Sequence, residues 1–237
     1  MRPLLTAFLL ALCAPACRRE PVPPPPPPPA AEAAPARKRV PAEPMSWLGA
    51  DWLTRAEREA EEQPEVMLDA LGLRPGMRVA DVGAGVGFHT VRLARRVAPG
   101  GQVWATDIQR EMVELLRANV EAEGLKNVTP VLTRPEETGL PDGQVDLVLM
   151  VDVFHELAEP EQMLAALRRA LAPGGRVALV EFRAEDPRVP IKAEHKMSVA
   201  QADAELEAAG FARVQRFDGL PWQHLLIYAP SPAAVGR

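Results

Sequence analysis

The chain has 237 residues, 47% of them hydrophobic, enough for a sizeable core without demanding a second domain. Its formal net charge of −5 lacks the basic excess expected of a nucleic-acid binder, so no nucleic-acid partner is expected. Of the 26 prolines, 11 lie between Pro21 and Pro44, and the globular part must begin after them.

The first residues read as a targeting signal. Arg2 supplies a minimal positive start, and residues 4–12 (LLTAFLLAL) form a short apolar run. The run falls short of the roughly 20 apolar residues a membrane-spanning helix needs, and it suits the core of a secretory leader. Small residues then lead to a cysteine in Ala14-Pro15-Ala16-Cys17. This resembles the bacterial lipoprotein signal, in which cleavage before the cysteine is followed by its acylation. The resemblance implies a leader over 1–16, a lipid anchor on Cys17, and a membrane-attached domain facing the periplasm. An ordinary cleaved leader, with Cys13 and Cys17 incidental, is the plainer alternative and gives a secreted or periplasmic protein. No cysteine follows residue 17, so the folded part has neither a disulfide nor a thiolate ligand.

Residues 17–44 cannot build a core. Seven consecutive prolines, Pro23 to Pro29, favour the stiff polyproline II form, a spacer that would hold a domain off a surface. A folded domain is expected over 45–230, with a tail over 231–237.

A helical stretch is expected over 54–71, before the first strand, where it could cover a site. From Val79 onward, β-branched runs alternate with amphipathic segments, the pattern of stacked βαβ units. Strands are expected over 78–82, 102–106, 128–132, 145–151, 176–182, 212–217 and 224–229. Helices are expected near 87–97, 111–123, 161–171 and 198–209. Turn signals such as Pro99-Gly100-Gly101 and Pro173-Gly174-Gly175 mark the joins. The fold class is therefore α/β: a Rossmann-like, seven-stranded, mostly parallel sheet with helices on both faces. Its last two strands form a hairpin-like pair, with the final one antiparallel.

In Asp81-Val82-Gly83-Ala84-Gly85-Val86-Gly87 a strand runs into a glycine-rich turn and then a helix. Glycine lets the backbone approach a ligand closely, and a helix N-terminus favours electron-rich groups. A dinucleotide fingerprint, G-x-G-x-x-G, would need its third glycine at position 88, which is Phe88. The spacing here is G-x-G-x-G, with Asp81 two residues ahead of the first glycine. Asp107 ends the next strand, where an acid can accept both hydroxyls of a ribose.

These residues resemble the class I S-adenosylmethionine (SAM)-dependent methyltransferases, over roughly residues 66–229. The resemblance implies SAM as cofactor: Asp81, Gly83, Gly85 and Gly87 around its methionine part, Asp107 on the ribose and Ile108 on the adenine face. The family often carries an Asp after the third strand. Here Arg134 takes that position, and Glu136 is the acid assigned to the adenine contact. Asp152, at the carboxyl end of the fourth strand, is counted with the cofactor residues. Asp146, at that strand's start, reads as a structural cap.

All four histidines map to one edge of the expected sheet: His89, His155, His195 and His224. His155, Glu156, His195 and His224, with Trp222, are expected to form the pocket of a small-molecule acceptor. A histidine near its usual pKa of about 6.5 can take a proton from an attacking nucleophile. The same histidines with Glu156 or Glu181 would also suit a transition metal. No tight spacing such as H-x-x-x-H supports that, so no metal ligand is assigned. SAM is made in the cytosol, which sets a second expectation beside the enzyme: an exported, inactive SAM- or nucleoside-binding lipoprotein that keeps the fold.

Overall fold

The structure is a computed structural model that describes residues 40–135 and 137–231. The leader over 1–16, Cys17, most of the proline-rich stretch, Glu136 and residues 232–237 lie outside the described residues. No helix among the described residues is long and apolar enough to cross a membrane.

The sequence alternation becomes one sheet. Two short helices, α1 (Arg58–Glu62) and α2 (Pro64–Ala70), lead into β1 (Arg78–Val82), and α3 (Phe88–Val97) returns the chain to β2 (Gln102–Asp107). Next come α4 (Arg110–Ala122), β3 (Val128–Leu132), β4 (Val145–Val151), α5 (Pro160–Ala170) and β5 (Leu171–Arg183). The two-residue β6 (Lys196–Met197), α6 (Val199–Ala208), β7 (Phe211–Phe217) and β8 (Gln223–Pro230) complete it. The order across the sheet is β3-β2-β1-β4-β5-β8-β7, with β6 paired to β5. β8 runs antiparallel to both its neighbours, and the pairs among β1 to β5 are parallel.

Period-2 alternation sorts the core into two layers. Along β5, Val177 and Leu179 pack with Leu164, Leu167 and Phe211 on one face. Ala178 and Val180 pack with Leu68, Leu93 and Val97 on the other. On β8, Leu226 and Tyr228 join the first layer, and Leu225 and Ile227 the second. Helices therefore cover both faces, as a buried parallel sheet requires.

Two local expectations are corrected. The single helix expected over 54–71 is instead the two short helices α1 and α2, preceded by a 3-10 turn over Trp47–Thr54. The break falls at Gln63 (φ +47°), because the ring of Pro64 disfavours helical backbone in the residue before it. β6 was not anticipated, since two residues carry no periodicity.

The sheet order reverses around β1, which has β2 on one side and β4 on the other. In open α/β sheets, ligands bind outside the carboxyl ends of the strands at such a point. Gly83, Asp107 and Asp152 all lie there.

Candidate functional site

β1 ends in the glycine turn because nothing larger fits. At Gly83 (φ +72°) a Cβ would lie 2.4 Å from Cγ2 of Val153, a stiff β-branched side chain in the loop after β4. At Gly85 (φ +54°) it would lie 2.8 Å from Leu53 Cδ1. Gly87 ends the turn and precedes α3. The N–H groups of Gly83 and Ala84 both donate to the Thr106 carbonyl at 2.9 Å, seating the turn against β2.

Asp107 then locks the turn. Its Oδ2 accepts from Gly85 N–H and its Oδ1 from Gln109 N–H, each at 2.9 Å. A carboxylate oxygen can accept two hydrogen bonds, so capacity remains on both. Burial raises this carboxyl, and those backbone donors pull it back down. Ile108 beside it is 42% exposed, an apolar surface open to a flat ring. Asp81 is buried under the turn, where Oδ2 accepts from the Thr90 hydroxyl at 2.6 Å; burial pushes its carboxyl up to about 6.

A strap crosses this edge. Ala42 N–H donates to the His155 carbonyl at 3.2 Å. Gln109 accepts from Trp47 N–H at 2.9 Å and donates to the Met45 carbonyl at 2.8 Å. Behind the strap, Arg58 donates to Glu62 at 2.7 Å and to the Leu53 carbonyl at 2.8 Å, with its third nitrogen 3.3 Å from His89 Nε2. Leu53, Arg58, Asp81, the glycine turn, Phe88 and His89 enclose a cavity of about 40 Å³. A larger depression of about 430 Å³ lies between α5 and α6, around Arg168 and Arg169, and contains none of these residues.

The rim is made by two 3-10 turns, Phe154–Glu156 after β4 and Ala193–His195 after β5. Phe154 is fully buried and anchors the first. Glu181, near the end of β5 and 0% exposed, accepts from Phe154 N–H at 2.8 Å through Oε1. Its Oε2 lies 2.7 Å from His155 Nδ1, and His155 Nε2 lies 3.1 Å from His195 Nδ1. The two rings stand at 88° with centroids 5.3 Å apart. Burial raises the Glu156 carboxyl to about 7, opposed by the charge of His155. Burial, followed by that same charge, lowers His195. His155, Glu156 and His195 each offer a ligand atom within 4.8 Å of the others, a set able to hold a metal ion.

The sequence-predicted residues therefore divide. Asp81, Gly83, Gly85, Gly87, Asp107 and Ile108 converge on one crevice. Asp152 (φ +54°) sits at the end of β4; Oδ2 accepts from Gln223 at 2.7 Å, and buried Oδ1 has no partner among the described residues. Burial, with the charges of Glu62 and Glu181, holds its carboxyl well above the usual range. Asp146 is structural as expected, accepting from Arg78 N–H at 2.7 Å. Arg134 is exposed and paired with Glu137.

The expected rim of three histidines narrows to two. His155 and His195 touch, whereas His224 is 1% exposed and sits opposite Glu181 in the β5–β8 register, closed off from solvent. His89 is buried against Arg58 and Phe88. Burial lowers both of these histidines. Arg58, Glu62, Leu53 and Gln109 were not singled out from the sequence. From the sequence, residues 54–71 read only as a helix that could cover a site, although the Arg58/Glu62 spacing of four was a usable signal.

Comparison with known proteins agrees with this geometry. Residues 79–175 match the model of a methyltransferase domain. The chain is 38% identical over 112 residues to the ubiquinone/menaquinone biosynthesis C-methyltransferase UbiE of Cupriavidus taiwanensis, covering 47% of this chain and 45% of that protein. It thus spans less than half the length of the curated relatives it matches. A SAM-dependent methyltransferase from Aquifex aeolicus superposes with a TM-score of 0.74 at 30% identity, over 78% of this chain and 98% of that one. The chain belongs to the SAM-dependent methyltransferases. A TehB-like SAM-dependent methyltransferase from Corynebacterium glutamicum, at 18% identity and a TM-score of 0.57, shares the fold.

The cofactor of this methyltransferase family is SAM, and the crevice fits it. Asp107 keeps acceptor capacity for two hydroxyls beside the glycine turn, and Ile108 offers an apolar face. The cavity of about 40 Å³ is far below the roughly 300–1,000 Å³ of ordinary ligand pockets. Leu53 of the strap lies against the glycine turn at Gly85.

Proposed function

We propose that this chain methylates a small-molecule acceptor seated against His155, Glu156 and His195. The observation that carries the reading is the hydrogen-bonded series Glu181–His155–His195, which ends on the same strand edge as the glycine turn and Asp107. When bound, SAM supplies a methyl group on a sulfonium, so the protein's task is alignment, water exclusion and proton handling.

The residues divide that task. The glycine turn and Asp107 hold the cofactor's two ends, and the strap from Ala42 to Glu62 excludes water. Glu181 accepts from His155 Nδ1–H, which leaves His155 Nε2 to accept from His195 Nδ1–H. The remaining nitrogen of His195 is then basic and takes the acceptor's proton, and the chain behind it spreads the resulting charge. Positioned bases of this kind contribute roughly 10²- to 10⁴-fold in rate. The test is calorimetric titration of the purified chain with SAM and its demethylated product, followed by mass spectrometry of small-molecule extracts for new +CH2 products. Absence of SAM binding at millimolar concentration defeats the reading.

We infer in addition that the leader is used and that Cys17 carries the lipid, which would present the domain at a membrane surface outside the cytosol. The support is the order of residues 2–17 and the run of prolines that follows them in the sequence. Mass spectrometry of the native N-terminus decides it: an acylated Cys17 supports the anchor, and an intact Met1 defeats it.

A further inference from the structure

The two rim histidines, with ring planes at 88°, meet through one nitrogen of each ring. His155 Nε2 and His195 Nδ1 are 3.1 Å apart, although 40 residues separate them in sequence. Two imidazole nitrogens bound to one tetrahedral zinc at about 2.0–2.1 Å stand about 3.3–3.4 Å apart, so only a few tenths of an ångström separate this pair from that geometry. A third donor, a Glu156 carboxylate oxygen, falls within the same 4.8 Å cluster. It comes from the residue beside His155, on a 3-10 turn pinned by the buried Phe154.

The residue behind the pair is of the kind that metal sites employ. Histidines that bind metals commonly donate their other N–H to a carboxylate, which fixes the tautomer and raises ligand basicity. Glu181 does this for His155 at 2.7 Å, and its second oxygen is held by Phe154 N–H, so it cannot swing away without losing that bond. The carboxylate is 0% exposed and the histidine 4%. Glu181 thereby leaves His155 Nε2 directed to His195 Nδ1, within the cluster that Glu156 completes. Two imidazoles and one carboxylate form the donor set of open three-ligand sites for zinc and related divalent transition metals.

We propose that His155 Nε2, Glu156 and His195 Nδ1 bind one divalent transition metal of the zinc class, with its remaining position open to water or to the acceptor. On binding, the cation replaces the proton shared by the two nitrogens, and His195 moves its proton to Nε2. An oxygen or sulfur of the acceptor in the open position is then acidified by the metal, and its proton passes to solvent. With the cation bound, the metal takes over from His195 the task of freeing the acceptor of its proton; where the cation sits depends on these three side chains, and only its use rests on the proposed methyl transfer.

The experiment takes the purified full chain, stripped with a chelator, and titrates it with Co²⁺ followed by visible absorption, then with Zn²⁺ in competition. The expected result is one Co²⁺ per chain, with the intense d–d bands of a low-coordinate site, displaced by Zn²⁺. His195→Ala, at a partly exposed position, is expected to weaken Co²⁺ binding at least tenfold, and Glu156→Gln likewise, with circular dichroism confirming that both remain folded. SAM titrated in parallel tests the other reading: metal without SAM binding defeats methyl transfer and leaves the site standing. Featureless Co²⁺ spectra, or affinity unchanged in folded His195→Ala, overturn the metal site whatever SAM does.

Discussion

The backbone N–H of Gly85 donates to Oδ2 of Asp107 at 2.9 Å, so the turn that approaches the cofactor is braced by the acid assigned to its ribose. One side chain thus shapes both ends of the crevice. Asp107→Asn keeps the shape but lowers the charge and turns one acceptor into a donor. Hydrogen bonds to a charged group are worth about 1.5–3 kcal/mol each, so SAM affinity is expected to fall roughly 10- to 100-fold. Isothermal titration checks this. Undiminished affinity would remove Asp107 from the cofactor site.

Gly83 is constrained twice. Its φ of +72° is costly for an L side chain, and the Cβ would sit 2.4 Å from Val153. Val153 is β-branched and cannot turn away cheaply. Left-handed backbone costs about 1–2 kcal/mol and overpacking about 1–3, so Gly83→Ala is expected to lose roughly 2–5 kcal/mol. Urea unfolding of the variant beside the parent measures it, and a loss below about 1 kcal/mol contradicts the clash.

The Asp81 carboxyl sets a pH signature. Burial raises it from its usual 3.8 to about 6, with the Thr90 hydroxyl and Arg58 pulling it down and Asp107 adding to the rise. Between these values the folded chain holds a proton that the unfolded chain has released. Stability from this group therefore falls as pH rises from about 4 to 6, and stays lower above that by roughly 2–3 kcal/mol. In Asp81→Asn this slope is absent. Relative to the parent, the variant is expected to gain by that amount at pH 7 compared with pH 4. Parallel pH profiles for the two chains would place the titration elsewhere.

How far the sequence reached follows from how local each feature is. The strands were legible because β-branched runs and turn residues mark them within a few positions. The glycine turn was legible because backbone room must come from glycine at the place it is needed. Asp107 followed from counting to the end of the next strand. The sequence placed His155, His195 and His224 together at one rim, but not which two would touch, because that depends on two loops after different strands bending toward each other. Nor was the burial of Arg58 and Glu62 legible, since a run of charges carries no sign of the cleft it fills. The break at Gln63 was readable in Pro64.

Leu53 and Gln109 make the strap the barrier to the cofactor crevice. Leu53 Cδ1 lies over Gly85, and Gln109 holds the strap by two backbone hydrogen bonds, to Trp47 and Met45. The cavity beneath it, about 40 Å³ and lined by the glycine turn, Arg58 and Phe88, leaves room for little more than water there, so lifting the strap is expected to open the turn to the cofactor. Gln109→Ala removes both holds without touching the glycine turn. At about 0.5–1.5 kcal/mol for each hydrogen bond, the lifted state is expected to gain between fivefold and a hundredfold in population. The SAM association rate should rise with it, since affinity is discounted by the fraction of competent protein. Stopped-flow tryptophan fluorescence suits the measurement, because Trp47 and Trp52 ride on the strap. An association rate equal to the parent's would show that the cofactor enters by another route.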